Sequence, residues 1–424
     1  MRPSPFLMDA MSSSPQHAPA PPSAPAPGGK PLHGVRVVDF TRVFAGPYCA
    51  MLLADLGAEV IKIEMPGAGD PLRTQGPPFH HGIGVTFLAA NRNKRSLTLD
   101  LRSQRGQEIA RALCARADVV LENFRPDVMP RLGLGYEELC ADNPGLVYAS
   151  ISGLGADGPD QRQGAFDLTI QALGGYMSIT GEPGGNPVKL GTSAFDIIAG
   201  MNCHAAVLAA LLHRGQTGRG QKVETSLLEG EVAFLANAAL EYLLTGEVPR
   251  KWGSEHAQQA PYKAFRTADG WIVVGAGYQN LFEAFAHALG RADLIGDARF
   301  ADLAARVQNR DALYAILDAE VAAHRTQDLI ATLDACKVPC APVNDVAQVF
   351  GHRQVLHRQM LQHVVHPSYG ELPQLGAAAK YSAFAVEADW TAPPLLGEHS
   401  AEILQDWLGM AAPEVASLRE SRVI

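Results

Sequence analysis

The sequence lacks any cysteine framework. Six cysteines are scattered through 424 residues (Cys49, Cys114, Cys140, Cys203, Cys336 and Cys340), and no CxxC occurs. Cys336 and Cys340 stand four apart, but no paired His or second Cys cluster follows at a zinc spacing. The thiols therefore read as reduced, mostly small buried residues of a cytoplasmic chain, and no metal site is expected. Positive charge is also in deficit: 35 Lys and Arg against 44 Asp and Glu give a net charge of −9. That balance argues against a nucleic-acid partner or an anionic membrane surface, while leaving room for a local basic pocket. No apolar run reads as long enough to span a bilayer. The first 30 residues are rich in Pro, Ala and Ser and contain no hydrophobic segment. They fit neither a secretory signal nor a mitochondrial presequence, and a disordered tail is expected there. No internal repeat occurs.

What is present is an alternation of strands and helices. "GVRVVDFTRVFAGPYCAMLLADLGAEVIKIE" reads as strand, helix, strand: Val35 to Phe40, Pro47 to Leu56, Val60 to Glu64. "KRSLTLDL", "DVVLENF" and "GLVYASISGLG" read as further strands, with an amphipathic helix in "SQRGQEIARALCARA". This pattern predicts an α/β fold: a Rossmann-like parallel sheet in a large domain over 31–230, with ligands at the carboxyl ends of its strands. "IIAGMNCHAAVLAALLHRGQ" is apolar almost all round and predicts a buried helix. The texture then changes. "APYKAFRTADGWIVVGAG" predicts a β-hairpin turning at "ADG", and helical stretches follow near Leu281 to Leu289 and Asp311 to Ala335. A linker and smaller α+β domain are expected over 231–347, and a C-terminal segment over 348–424 that returns to the large domain.

The first strand–helix turn, "TRVFAGP", holds one glycine, Gly46, and no GxGxxG. Glu64 stands where a ribose-binding acid would sit, but without that fingerprint a backbone cannot approach a pyrophosphate closely, which disfavours NAD. "GEPGGNP" (Gly181 to Pro187) lacks the Lys-Ser/Thr of a phosphate loop. One acid stands apart. Asp196, in "KLGTSAFDIIAGM", has no Lys or Arg from Leu190 to Leu212. By local rules it is a helix N-cap.

Taken together, "DFTRVFAGPYCAMLLADLGAEVIKIE", "NRNKRSLTLDL", "ADVVLENFRP", "GLGADGP", "TGRGQKVETSL" and "APPLLGEH" resemble the family III CoA-transferases, from about Leu32 onward. The resemblance implies two interlocked subunits, acyl-CoA and small carboxylates as substrates, and no tightly bound cofactor. It matches Asp196, rather than Asp167, to the nucleophile that attacks an acyl-CoA thioester; a helix N-terminus would favour its ionised form. It matches Phe44, Ala45, Met65, Leu99, Arg102, Asn123, Phe124, Arg125 and Arg131 to CoA contacts. Departures occur: formyl-CoA transferase has Gln, Arg and Lys where this chain has Phe44, Met65 and Gly164. The phosphates would then need Arg73, Arg125 or Arg102.

Related α-methylacyl-CoA racemases carry a His before the acid equivalent to Asp167. Here that residue is Phe166, which cannot transfer a proton, and His204 reads as a core residue. A racemase-like enzyme and a non-catalytic CoA-binding protein are the alternatives. Oxyanion donors are sought in Gly153 to Gly158 and Gly181 to Gly185. The segment from Tyr242 to Gly277 looks like that of succinate–hydroxymethylglutarate CoA-transferase, which implies succinyl-CoA as donor and a dicarboxylate acceptor. Arg250, Lys251, His256 and Tyr262 would then face the distal carboxylate.

Overall fold

The computed structural model describes residues 29–424, so all but the last two residues of the expected tail lie outside it. Six strands form one parallel sheet: β1 (Arg36–Asp39), β2 (Glu59–Glu64), β3 (Lys94–Thr98), β4 (Val119–Glu122), β5 (Val147–Ser152) and β6 (Gln221–Ser226). Their spatial order is β3-β2-β1-β4-β5-β6. This is the doubly wound order, in which the chain reverses direction between β1 and β4 and leaves a crevice at their carboxyl ends.

Helices α1 (Ala45–Asp55), α2 (Gln104–Cys114), α3 (Asp167–Leu173), α4 (Ala194–Thr217) and α5 (Leu227–Phe234) belong to this part of the chain. Successive strand residues point to opposite faces. Val37 and Val119 therefore join a core with α1 and α4, while Val38 and Val120 join another with α2. The end of the chain closes that second face: Ile403, Leu404 and Trp407 pack into it, and the Trp407 indole donates to Glu59 at 2.8 Å.

A separate core gathers Phe265, Ile272, Val274, Phe282, Phe285 and Leu313. It is built from the antiparallel pair β7 (Tyr262–Arg266) and β8 (Trp271–Gly275) with helices α6 (Gln279–Ala288), α7 (Arg310–Ala322) and α8 (Thr326–Ala335). The helical stretch from Asp311 to Ala335 is thus two helices. The break is fixed by Asp269, which accepts from the Thr326 N–H at 2.8 Å.

Two expectations fail on α4. It is 24 residues long and holds an 18-residue window with a mean hydropathy of 1.7, enough by length and composition to cross a membrane, so a long apolar run does exist. It is also not buried all round. Phe195, Ala199, Cys203, Val207 and Ala210 face the core, but Met201 is 53% and Leu212 72% exposed. One stripe packs against α1 and the sheet and α5 packs beside it, while Met201 and Leu212 stay uncovered among the described residues.

Candidate active site

The β1–α1 turn does without a glycine fingerprint because two buried ammonium groups hold it from behind. Lys62 donates to the Thr41 carbonyl at 2.9 Å and pairs with Asp70 at 2.9 Å. Lys94 pairs with Asp39 at 3.1 Å and donates to the Pro47 carbonyl at 2.8 Å and to Asn91 at 2.9 Å. Burial pushes Lys94 down to about 8, while the nearby lysines hold the Asp39 carboxyl low against its own burial. Gly46 is needed for space: a Cβ there would lie 2.3 Å from Thr41 Cβ.

The turn presents Arg42 outward. Its guanidinium stacks 4.5 Å over the Phe124 ring. Asn123 accepts from the Arg42 N–H at 2.9 Å and donates to the Arg42 carbonyl at 2.7 Å, joining the ends of β1 and β4 at the switch point. Sequence reasoning passed over Arg42. Its signal was a cation just beyond a strand's carboxyl end.

Beneath Arg42 lies a cleft of about 260 Å³. Of the residues matched to CoA contacts, Met65, Leu99, Arg102 and Phe124 line it together, beside Phe40 and Lys62. Arg102 is exposed and, among the described residues, pairs only with neighbouring Asp100, at 2.9 Å. Arg131 pairs with Asp127 at 3.2 Å. Phe44 and Ala45 do not line the cleft: Phe44 packs beside Tyr48, ring centroids 5.9 Å apart, and Ala45 is buried at the head of α1. Arg125 Nη2 stands 3.7 Å from where a Cβ on Gly164 would be, so a guanidinium reaches the space that a longer residue at 164 would enter. Arg73 must be struck from the phosphate candidates. It is buried, bound through two nitrogens to Glu64 at 2.7 Å each, and donates to the Pro394 carbonyl. The same pair removes Glu64 as a ribose ligand.

The capping expectation for Asp196 also fails. Ser193 is the N-cap residue of α4, and Asp196 is the third residue of the helix. The cap comes from Asp167 instead. Its Oδ1 accepts from the Phe195 N–H at 2.8 Å, and its Oδ2 accepts from Gln171 at 2.5 Å. The two acids are thus distinguished. Asp167 is tied through both oxygens; the half-buried Asp196 carboxyl has no hydrogen-bond partner among the described residues. Burial, and then the charge of Asp167, push Asp196 up to about 7, outweighing the helix N-terminus that was expected to favour its ionised form. A third acid, Glu231 on α5, was not foreseen; it is fully buried and pushed up to about 7 by burial and by Asp167.

Phe166 is 72% exposed and offers no proton carrier. His204 lies eight residues beyond Asp196, about 12 Å along the helix. It lines a separate, mostly apolar cleft of about 640 Å³ with Tyr48, Met51 and Met201, and burial lowers its affinity for a proton. In the glycine loops the Gly155 N–H donates to Ser152 and the Gly185 N–H to the Glu182 carbonyl, which removes both as oxyanion donors. Lys251 donates to the carbonyls of Gly185 and Asn186, at 3.0 and 2.5 Å, and so pins the linker to the loop. Arg250 stacks on Trp252 at 4.0 Å. His256 and Tyr262 do come together, ring centroids 5.3 Å apart.

The model of the family described as CoA-transferase family III matches residues 32–400. A succinyl-CoA:glutarate CoA-transferase from Mus musculus is 38% identical over 93% of this chain and 90% of its own length. A succinyl-CoA–D-citramalate CoA-transferase from Chloroflexus aurantiacus is 37% identical over 93% of this chain and 98% of its own. The crystal structure of a CAIB/BAIF family protein from Brucella suis is similar at a TM-score of 0.81 and 39% identity, covering 89% of this chain and 99% of that one.

Proposed function

The chain belongs to CoA-transferase family III and is a CoA-transferase; from that premise we propose that Asp196 is its nucleophile, with succinyl-CoA as donor and a small dicarboxylate as acceptor. The observation that carries this reading is the contrast between two neighbouring acids. Asp167 is locked by a backbone N–H and a glutamine, while the Asp196 carboxyl is half-buried and unbonded. A carboxylate raised to about 7 is both ionised in part at neutral pH and more nucleophilic than an ordinary one.

An Asp196 oxygen attacks the thioester carbonyl, the C–S bond breaks, and CoA thiolate leaves behind a mixed anhydride. The thiolate attacks the aspartyl carbonyl and releases the donor acid, giving an aspartyl-CoA thioester. The acceptor carboxylate displaces CoA again, forming a second anhydride. The thiolate then attacks the acceptor's acyl carbon, forms the new acyl-CoA, and frees Asp196. No thioester energy is lost to water if the site stays closed.

CoA would lie with its adenine against Met65, Leu99 and Phe124. Its phosphates would meet Arg42, Arg102 and Arg125, with Arg125 supplying charge beside Gly164. Asn123 positions Arg42 rather than touching the ligand. The names of the glutarate and D-citramalate relatives support a dicarboxylate acceptor, whose distal carboxylate would meet His256 and Tyr262. An interlocked homodimer is supported by the exposed apolar residues Leu212, Leu243, Leu244 and Val248. The acid/base alternative needs a proton carrier at position 166, where Phe166 stands.

Succinyl-CoA incubated with a panel of small dicarboxylates, followed by mass spectrometry of CoA esters, tests the substrate reading. Exchange with at least one is expected; none would remove the dicarboxylate assignment. A 2-methylacyl-CoA in deuterated water should take up no deuterium at its α-carbon.

A further inference from the structure

We propose that Glu231 is a positioning residue for Asp196: its buried carboxyl fixes the Gly174–Tyr176 turn, and the turn holds the head of α4 through Phe195. The inference rests on the reading of Asp196 as nucleophile.

Glu231 is fully buried on α5, which packs against both α3 and α4. One carboxyl oxygen accepts from the Tyr176 N–H at 3.2 Å. The other is buried with no partner. The carboxyl lies flat on bare backbone, since a Cβ on Gly174 would stand 2.4 Å from Glu231 Cδ. The turn is therefore shaped around this acid.

From the turn, the Tyr176 ring meets Phe195 edge-on at 5.3 Å and packs on Phe234, one helical turn past Glu231, at 5.8 Å. Phe195 is the residue before Asp196, and its N–H is held by Asp167. The head of α4 is thus gripped twice, by a backbone bond from Asp167 and by a ring clamp that Glu231 anchors.

The charges around Glu231 are of one sign. Asp167 faces it from α3, Asp196 lies at the head of α4, and Tyr176 is in the turn. Glu229, on the same helix, accepts from Ser226 Oγ at 2.6 Å; α4 carries no Lys or Arg before Arg214. Burial first, and then the charge of Asp167, disfavour an ionised Glu231 against the Tyr176 N–H bond that favours it, and among the described residues no Lys or Arg pairs with it. The clamp is intact while Glu231 is protonated and loosens as pH rises through about 7. Turnover then needs Asp196 ionised and Glu231 neutral, which gives a bell with an acid limb from Asp196 and an alkaline limb from Glu231.

The test is the pH profile of kcat for the full-length wild type, Glu231→Gln and Glu231→Ala, with Asp196→Ala alongside. Glu231→Gln, the isosteric neutral form, is expected to keep the wild-type acid limb and lose the alkaline fall. Glu231→Ala is expected to lose about tenfold in kcat at unchanged KM for the acyl-CoA, because the nucleophile is displaced and not the ligand. The proposal is overturned if Glu231→Gln retains the alkaline limb, if the wild type has none, or if Glu231→Ala turns over at the wild-type rate. If Glu231→Ala does not fold, the Gln profile decides alone. An active Asp196→Ala would instead overturn the nucleophile reading, a separate result.

Discussion

Behind the β1–α1 turn and the end of β2, acids and bases are buried in pairs: Lys94 with Asp39, Lys62 with Asp70, Arg73 with Glu64. At the head of α4, Asp167, Asp196 and Glu231 are buried or half-buried together, and their hydrogen-bond partners include no Lys or Arg. The first region spends its charge on holding a turn still. The second leaves one carboxyl unbonded and raises its proton affinity. The contrast separates the two regions more sharply than burial does, because both are largely out of water.

The largest effect should come from the unpaired region. Asp196→Ala is expected to lower kcat at least about a thousandfold while circular dichroism and CoA binding stay near wild type. The paired region should respond in the opposite currency. Lys94→Met removes one of the two buried lysines that hold the Asp39 carboxyl and should cost about 3–5 kcal/mol in urea unfolding; a loss below about 1 kcal/mol would mean the pair is not structural. Between the two lies Arg125→Ala, expected to raise KM for acyl-CoA about tenfold with little change in kcat. The smallest effect concerns stability and pH. The folded state raises Asp196 from 3.8 to about 7, so its stabilising contribution is complete below pH 3.8 and lost as pH climbs through about 7. Asp196→Asn removes that alkaline loss. Its thermal midpoint should exceed wild type by about 1–3 °C near pH 8.5, with the gap closing at acid pH.

The same contrast marks how far the sequence could be read. The sheet was legible because Val37 and Val38, or Val119 and Val120, must serve two cores at once, and strands buried on both faces read as unbroken apolar runs. The clustering of Met65, Leu99, Arg102 and Phe124 was accessible through motif order, since all lie near strand ends. Pairings were not. Arg73 looked like a phosphate ligand until Glu64 claimed it, and nothing in the sequence around Arg306 marks it as fully buried among the carbonyls of Ala260, Gly277 and Phe300. Glu231 was hidden for the same reason: either of the two acids in "LLEGEVAF" is a solvated side chain or a buried one depending on what α3 and α4 bring against it. Asp196 stood out in the sequence for its isolation from cations but was misread as a cap, a task that falls to an acid 29 positions earlier in the chain.

The most direct test is to trap the covalent intermediate. The protein incubated with succinyl-CoA, quenched with hydroxylamine and digested, should yield a hydroxamate on the peptide containing Asp196 and on no other, with none in Asp196→Ala. A hydroxamate on Asp167 or Glu231, or its absence during active turnover, would contradict the account.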